Sequence, residues 1–144
     1  MKKLILILLL IGFGMNAQND RNEKIKALKT AYITEQLDLS SAEAERFWPV
    51  YNDHQEKMAN LRQKERREIF HKLREGVDDM TDSEANELLD IVLVMKTKEL
   101  EHMKELVQNL RPVLSPKKII KLKKVEEDFK KRLLERFRQR RQQH

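Results

Sequence analysis

An all-α fold follows from three features of the sequence. Turn formers are scarce: Gly12 and Gly14 fall within the first seventeen residues, only Gly76 lies beyond them, and Pro49, Pro112 and Pro116 are the only prolines. Charged residues make up 38% of the chain against 6% aromatics, a balance that suits long solvated helices rather than strands. Apolar residues then recur at spacings of three and four over long stretches, the period of a helix with one buried face.

Residues 1–17 have the layout of a secretory signal. Lys2 and Lys3 start it, Leu4 to Ile11 is an unbroken apolar run, and Met15-Asn16-Ala17 offers a small residue for cleavage before Gln18. The run is well short of the roughly 20 residues needed to cross a bilayer. The expectation is a cleaved leader and an exported, periplasmic product. With no cysteine in the chain, a lipid-modified anchor and disulfides are both excluded.

What remains, 18–144, is enough for one helical domain with a modest core. The first helix is expected from about Asn22 to Leu37, with Ile25, Leu28, Tyr32 and Ile33 on one face. Ser40 follows as an N-cap, and Glu43 three residues on can reach back to its backbone N–H to close a capping box. The second helix carries a stripe of Phe47, Trp48, Tyr51, His54, Met58, Leu61, Ile69 and Leu73, ending near Arg74. Its length of about 50 Å, at 1.5 Å per residue, exceeds any core this chain can build. Pro49 removes a backbone donor, so a kink or break is expected near Glu45 to Pro49.

Glu75 to Met80 reads as a connector, closed by a second capping box with Thr81 and Glu84. In the third helix, seven of the eight residues from Leu88 to Met95 are apolar, which predicts cover on more than one side, in a core or a dimer interface. His102, Met103, Leu106 and Leu110 continue the stripe until Pro112 ends it. Ser115 caps the fourth helix and Pro116 takes its first position, where a missing N–H costs nothing. Ile119, Leu122, Val125, Phe129, Leu133 and Phe137 line its apolar side, and 138–144 is expected to fray.

Charge is distributed unevenly. Residues 117–144 hold twelve basic and four acidic side chains, whereas 18–116 hold sixteen and twenty. A basic helix on a mildly acidic body can meet anionic lipid, an acidic partner or the body itself. Export argues against nucleic acid as the partner.

Two helix starts, Leu39-Ser40-Ser41-Ala42-Glu43 and Leu114-Ser115-Pro116-Lys117-Lys118, lie 75 residues apart, each with a leucine before the hydroxyl cap. The pair resembles the twin Leu-Thr-x-x-Gln signatures of the Spy/CpxP family of small periplasmic proteins, whose relatives include the metal sensors ZraP and CnrX. Serine stands for threonine in both copies, and glutamate for glutamine in the first. Lys118 cannot accept the hydrogen bond that would close the second box. The stretch Glu43-Ala44-Glu45-Arg46-Phe47-Trp48-Pro49-Val50-Tyr51 is similar to exported proteins described as sensors of ECF-type sigma factors. The resemblance implies four helices in a bent, antiparallel, cradle-like arrangement. It also implies a homodimer serving as an ATP-independent chaperone or a regulator of envelope stress.

No catalytic motif is visible: there is no glycine-rich phosphate loop, no cysteine nucleophile and no paired-histidine helix. No enzyme activity and no cofactor are expected. Partner-binding candidates are Phe47, Trp48 and Tyr51, whose first reading is core with a partner anchor as the alternative, and the cations Arg62, Arg66 and Arg67. With Lys64, Lys72, Arg74 and Lys117 to Lys131, these cations can form a basic cradle for unfolded or acidic protein segments, including a membrane-bound sensor. The alternative is a solvated surface paired with Glu65, Glu68, Glu126 and Glu127. The basic tail can also touch a membrane peripherally. A second function, sensing zinc, nickel, cobalt or copper, would use His54 and Met58 on one helix with His102 and Met103 on another. A core or surface role explains His54, His71 and His102 as well, and His144 is terminal.

Overall fold

The computed structural model describes the backbone of residues 2–142 and the side chains of residues 19–142. The side chains of the expected leader and cleavage point, 1–17, and the terminal His144 lie outside what is so described. Helices account for 88% of the chain, and no strand occurs among the described residues. In order these are α1 (Lys2–Gln36), α2 (Ser41–Glu65, prolonged by a π-helical turn Arg66–Phe70 and a last α-helical turn His71–Glu75), α3 (Asp82–Leu110) and α4 (Pro116–Gln142).

The helix ends form for local chemical reasons. At Ser40 the hydroxyl accepts from the Glu43 N–H while the Glu43 carboxylate accepts from the Ser40 N–H, at 3.1 and 3.0 Å. Thr81 and Glu84 repeat the exchange at the start of α3, at 3.2 and 2.9 Å. Ser115 caps α4 through the Lys118 N–H at 3.3 Å. Beyond α1, Asp38 takes the left-handed conformation with φ 49°, while the Asp38 N–H reaches Glu35 O and the Leu39 N–H reaches Thr34 O. That pattern satisfies the carbonyls a helix end leaves open.

The helices group into two compact units, one made by 1–39 with 120–144 and the other by 40–119. In the first, α1 and α4 run antiparallel. Tyr32 meets Phe129 at 5.7 Å between ring centres, and Arg21 lies over the Phe137 ring at 5.6 Å. Ile33, Leu37, Leu122 and Val125 are its buried apolar residues. In the second, α2 and α3 run antiparallel, with Ile69, Leu88 and Met95 at the centre of one cluster and Leu61, Met80, Ile91 and Val92 packed around them. Phe47, Tyr51, Leu106, Leu110 and Leu114 are buried elsewhere in that unit.

Three expectations are corrected. The helix is continuous through Pro49, so the break expected near Glu45 to Pro49 does not occur, and a π turn lies seventeen residues later, where the His71 N–H donates to Arg66 O. An interior proline costs about 3 kcal/mol. Burying Phe47 and Tyr51 on either side of it returns roughly 1.5–3 kcal/mol each, enough to hold the helix together. Within a single chain the run from Leu88 to Met95 is covered on one face only, since Leu89, Leu93 and Val94 are 60%, 65% and 53% exposed, so of the two expected settings the intrachain core is the one corrected. A hairpin of two helices has only one neighbour to offer. Finally, 138–142 is helical rather than frayed: arginine and glutamine are good helix formers, and cations near a C-terminus oppose the helix dipole.

Candidate protein-binding surface

Phe47, Trp48 and Tyr51 form a compact aromatic group. The Phe47 ring stacks on Tyr51 at 5.2 Å and meets Trp48 edge-on at 4.9 Å, and Trp48 and Tyr51 are perpendicular at 5.6 Å. Phe47 and Tyr51 are buried, so the partner-anchor role offered for them is replaced by a core role. A ring with no solvent-facing surface has no area to give a partner. Trp48, half-buried, retains part of its surface.

Arg62, Arg66 and Arg67 are all exposed, and among the described residues none of them forms an ion pair. Arg66 and Arg67 open the π turn and Arg62 lies one turn before it, and within that turn Ile69 is buried while Phe70 is 48% exposed. Arg74 Nε donates to the Phe70 carbonyl at 3.2 Å, one turn on. Exposed Leu73 and Val77 continue beyond it. Cations and apolar side chains are therefore interleaved along the last three turns of α2.

On α3 the exposed apolar residues Leu89, Leu93, Leu100 and Met103 follow spacings of four, seven and three, which place them along one flank of the helix. The position that would complete the row is Lys96, whose ammonium is bound to Glu99 at 2.8 Å. Sequence reading missed Leu89, Leu93, Leu100 and Phe70. Part of the signal was present: Leu89 and Phe70 each lie about 100° around the helix from a buried neighbour, Leu88 and Ile69, and Leu93 and Leu100 continue the row of Leu89 at helical spacing.

The two helix starts singled out in the sequence meet in the folded chain. Lys118 Nζ donates to Glu43 Oε2 at 2.7 Å, joining the third helical residue of one start to that of the other. Leu114 is buried and Leu39 half-buried. The Lys118 hydrogen bond, followed by that from the Ser40 N–H, holds the Glu43 carboxyl below its ordinary range. Lysine at 118 and glutamate at 43 are thus complementary.

The other candidate side chains are spread between roles. Lys57 binds Asp53 at 2.8 Å and Glu105 at 2.6 Å, and these bonds, Asp53 first, raise its affinity for its proton. Glu105 is also the carboxylate beside His102, at 3.9 Å, so it is already engaged. His54, Met58 and His102 are half-buried and Met103 is exposed. Among the described residues, no three His, Cys, Asp or Glu side chains converge as a metal site. His71 pairs with Glu75 at 3.3 Å. Part of the basic surface is neutralised as helical spacing suggested, through Lys64 with Glu68 and Lys29 with Glu126. No helix among the described residues is long and apolar enough to cross a membrane. In comparisons with family models, curated proteins and solved structures, nothing matches the chain.

Proposed function

We propose that the chain is an exported, non-enzymatic protein-binding module of the Spy/CpxP type. In this reading it acts in the periplasm as an ATP-independent chaperone or as a regulator of an envelope-stress sensor. The observation that carries the proposal is the surface of the 40–119 unit. There Leu89, Leu93, Leu100, Met103, Phe70 and Leu73 remain exposed on a helical hairpin that also presents the unpaired Arg62, Arg66 and Arg67. Apolar rows of this extent mark contact surfaces. Cations beside them favour acidic or partly unfolded segments and speed encounter without tight capture. A binder that must release its client benefits from that weakness.

The signal-like leader supports export, and the two capped helix starts support the family. The bent cradle belongs to the same proposal, with the apolar flank of α3 serving either clients or a second copy in a homodimer. The reading is tested by light scattering of an aggregating client. Equimolar protein is expected to suppress aggregation. Leu89→Ser with Leu93→Ser, or charge reversal at Arg62, Arg66 and Arg67, is expected to remove most of that suppression while leaving the melting temperature in place, as exposed positions do. Absence of suppression by the parent protein, or full suppression by both variants, defeats it. Amino-terminal sequencing of the exported protein, expected to begin at Gln18, tests the localisation.

A further inference from the structure

Along α4 the cations change type. Every basic residue from 117 to 131 is lysine, and every one from 132 to 141 is arginine: Arg132, Arg136, Arg138, Arg140 and Arg141. Their partners change as well. Lys118 holds Glu43 and Lys124 holds Asp128, at 2.7 and 2.6 Å. Among the described residues, no ion pair involves any of the five arginines or Arg21. Glu135 is three residues from both Arg132 and Arg138 and pairs with neither.

In place of carboxylates, these arginines have rings and open space. Arg132 lies over Tyr32 at 5.0 Å and Arg21 over Phe137 at 5.6 Å, which fixes two guanidinium groups without neutralising them. A cleft of about 690 Å³ opens between the two helices there, lined by Arg21, Leu134, Phe137, Arg138, Arg140 and Arg141. A smaller hollow of about 110 Å³ follows along the same pair, again with arginine, Arg132 and Arg136, beside aromatic and aliphatic side chains. One or two cations in the last turn are enough to oppose a helix dipole. Six uncompensated guanidinium groups around an apolar floor exceed that need.

We propose that this arginine-lined end of the α1–α4 unit docks on an anionic phospholipid bilayer. Guanidinium forks match phosphate oxygens two at a time, which lysine does not do. Arginines at five of ten successive positions point in several directions around the helix, an arrangement suited to a continuous sheet of phosphates rather than to one carboxylate. Leu134, half of whose surface is exposed, and Phe137 supply the apolar contact at the boundary between headgroups and acyl chains. This site lies in a different unit from the proposed protein-binding surface and does not depend on that reading.

The test is co-sedimentation of the full chain with vesicles of phosphatidylcholine alone and of phosphatidylcholine mixed with phosphatidylglycerol. Any contribution of the leader is common to all samples, so the quantity read is the gain on adding the anionic lipid. That gain is expected to exceed roughly 100-fold at low salt, since six guanidinium groups at about fivefold each are available, and to fall as salt is added. Replacing Arg138, Arg140 and Arg141 by glutamine is expected to reduce binding to anionic vesicles by about 100-fold, three cations at about fivefold each. Replacing Lys117, Lys121 and Lys123 by glutamine removes the same net charge and is expected to preserve most of the gain. Circular dichroism verifies that both variants remain helical. The proposal is overturned if anionic lipid adds nothing, if both triple variants lose binding equally, or if an oligoglutamate peptide, and not the vesicles, binds in an arginine-dependent way.

Discussion

Phe47→Ala separates a core residue from a partner anchor, two roles the sequence left open for the same ring. Phe47 has no exposed surface and contacts two other rings, at 4.9 and 5.2 Å. Removing the ring forfeits its burial, roughly 1.5–3 kcal/mol, and two aromatic pairs at about 0.5–1.5 kcal/mol each. The sum, roughly 2.5–6 kcal/mol, brackets the roughly 3–5 kcal/mol typical of Phe→Ala in protein cores. Against a total stability of about 5–15 kcal/mol, that is a large fraction. At this chain length the melting temperature should drop by roughly 10–15 °C, read from helical ellipticity on heating. Phe47→Leu keeps an apolar filler and should cost about 1–2 kcal/mol, leaving a folded protein for the client assay. The core assignment is refuted if Phe47→Ala melts within a degree or two of the parent while client protection collapses.

Reversal of one charge at the joined helix starts, Lys118→Glu, is expected to lower the urea midpoint, and adding Glu43→Lys should recover part of the loss; a double-mutant cycle without coupling would show that the two starts are independent. The same carboxylate gives a pH dependence. Glu43 and Glu84 titrate below their ordinary range because Lys118 with the Ser40 N–H, and the Thr81 N–H with its hydroxyl, bind the ionised forms. Their stabilisation is therefore present above the unfolded carboxyl pKa and is lost as pH falls through the lower folded values. Melting temperature should decline on acidification, and less steeply in a Glu43→Gln, Glu84→Gln variant. Gly76→Ala is expected to cost about 1–3 kcal/mol in urea denaturation, since φ is 123° there and a Cβ would lie 3.3 Å from Asp79 Oδ2.

Where a feature of this fold is set by a few neighbouring residues, the sequence announced it. Ser40 with Glu43, Thr81 with Glu84, and Ser115 before Pro116 each placed a helix start to the residue, because a cap is a local hydrogen-bond transaction needing no tertiary context. Features that depend on what lies alongside were not legible in this way. Seven apolar residues among the eight from Leu88 to Met95 say that burial is possible on more than one side; the single neighbouring helix within the hairpin leaves Leu89, Leu93 and Val94 exposed in one chain. The π turn likewise follows from no single residue in Arg66 to Phe70. It is a register adjustment, and its exposed Phe70, beside Arg66 and Arg67, contributes to the candidate surface. The composition of the aromatic group suits an interface as well as a core, and burial places Phe47 and Tyr51 in the core, while the exposed apolar area lies on aliphatic side chains such as Leu89, Leu93 and Leu100. Lys118 marks where local reading undervalued a residue. As a failed closure of its own capping box it looked like decay of a motif, yet across the fold it supplies the cation that Glu43 requires. In a chain with so few glycines, prolines and aromatics, specificity of this kind has to come from charges placed at helix ends, where geometry is already fixed by the caps.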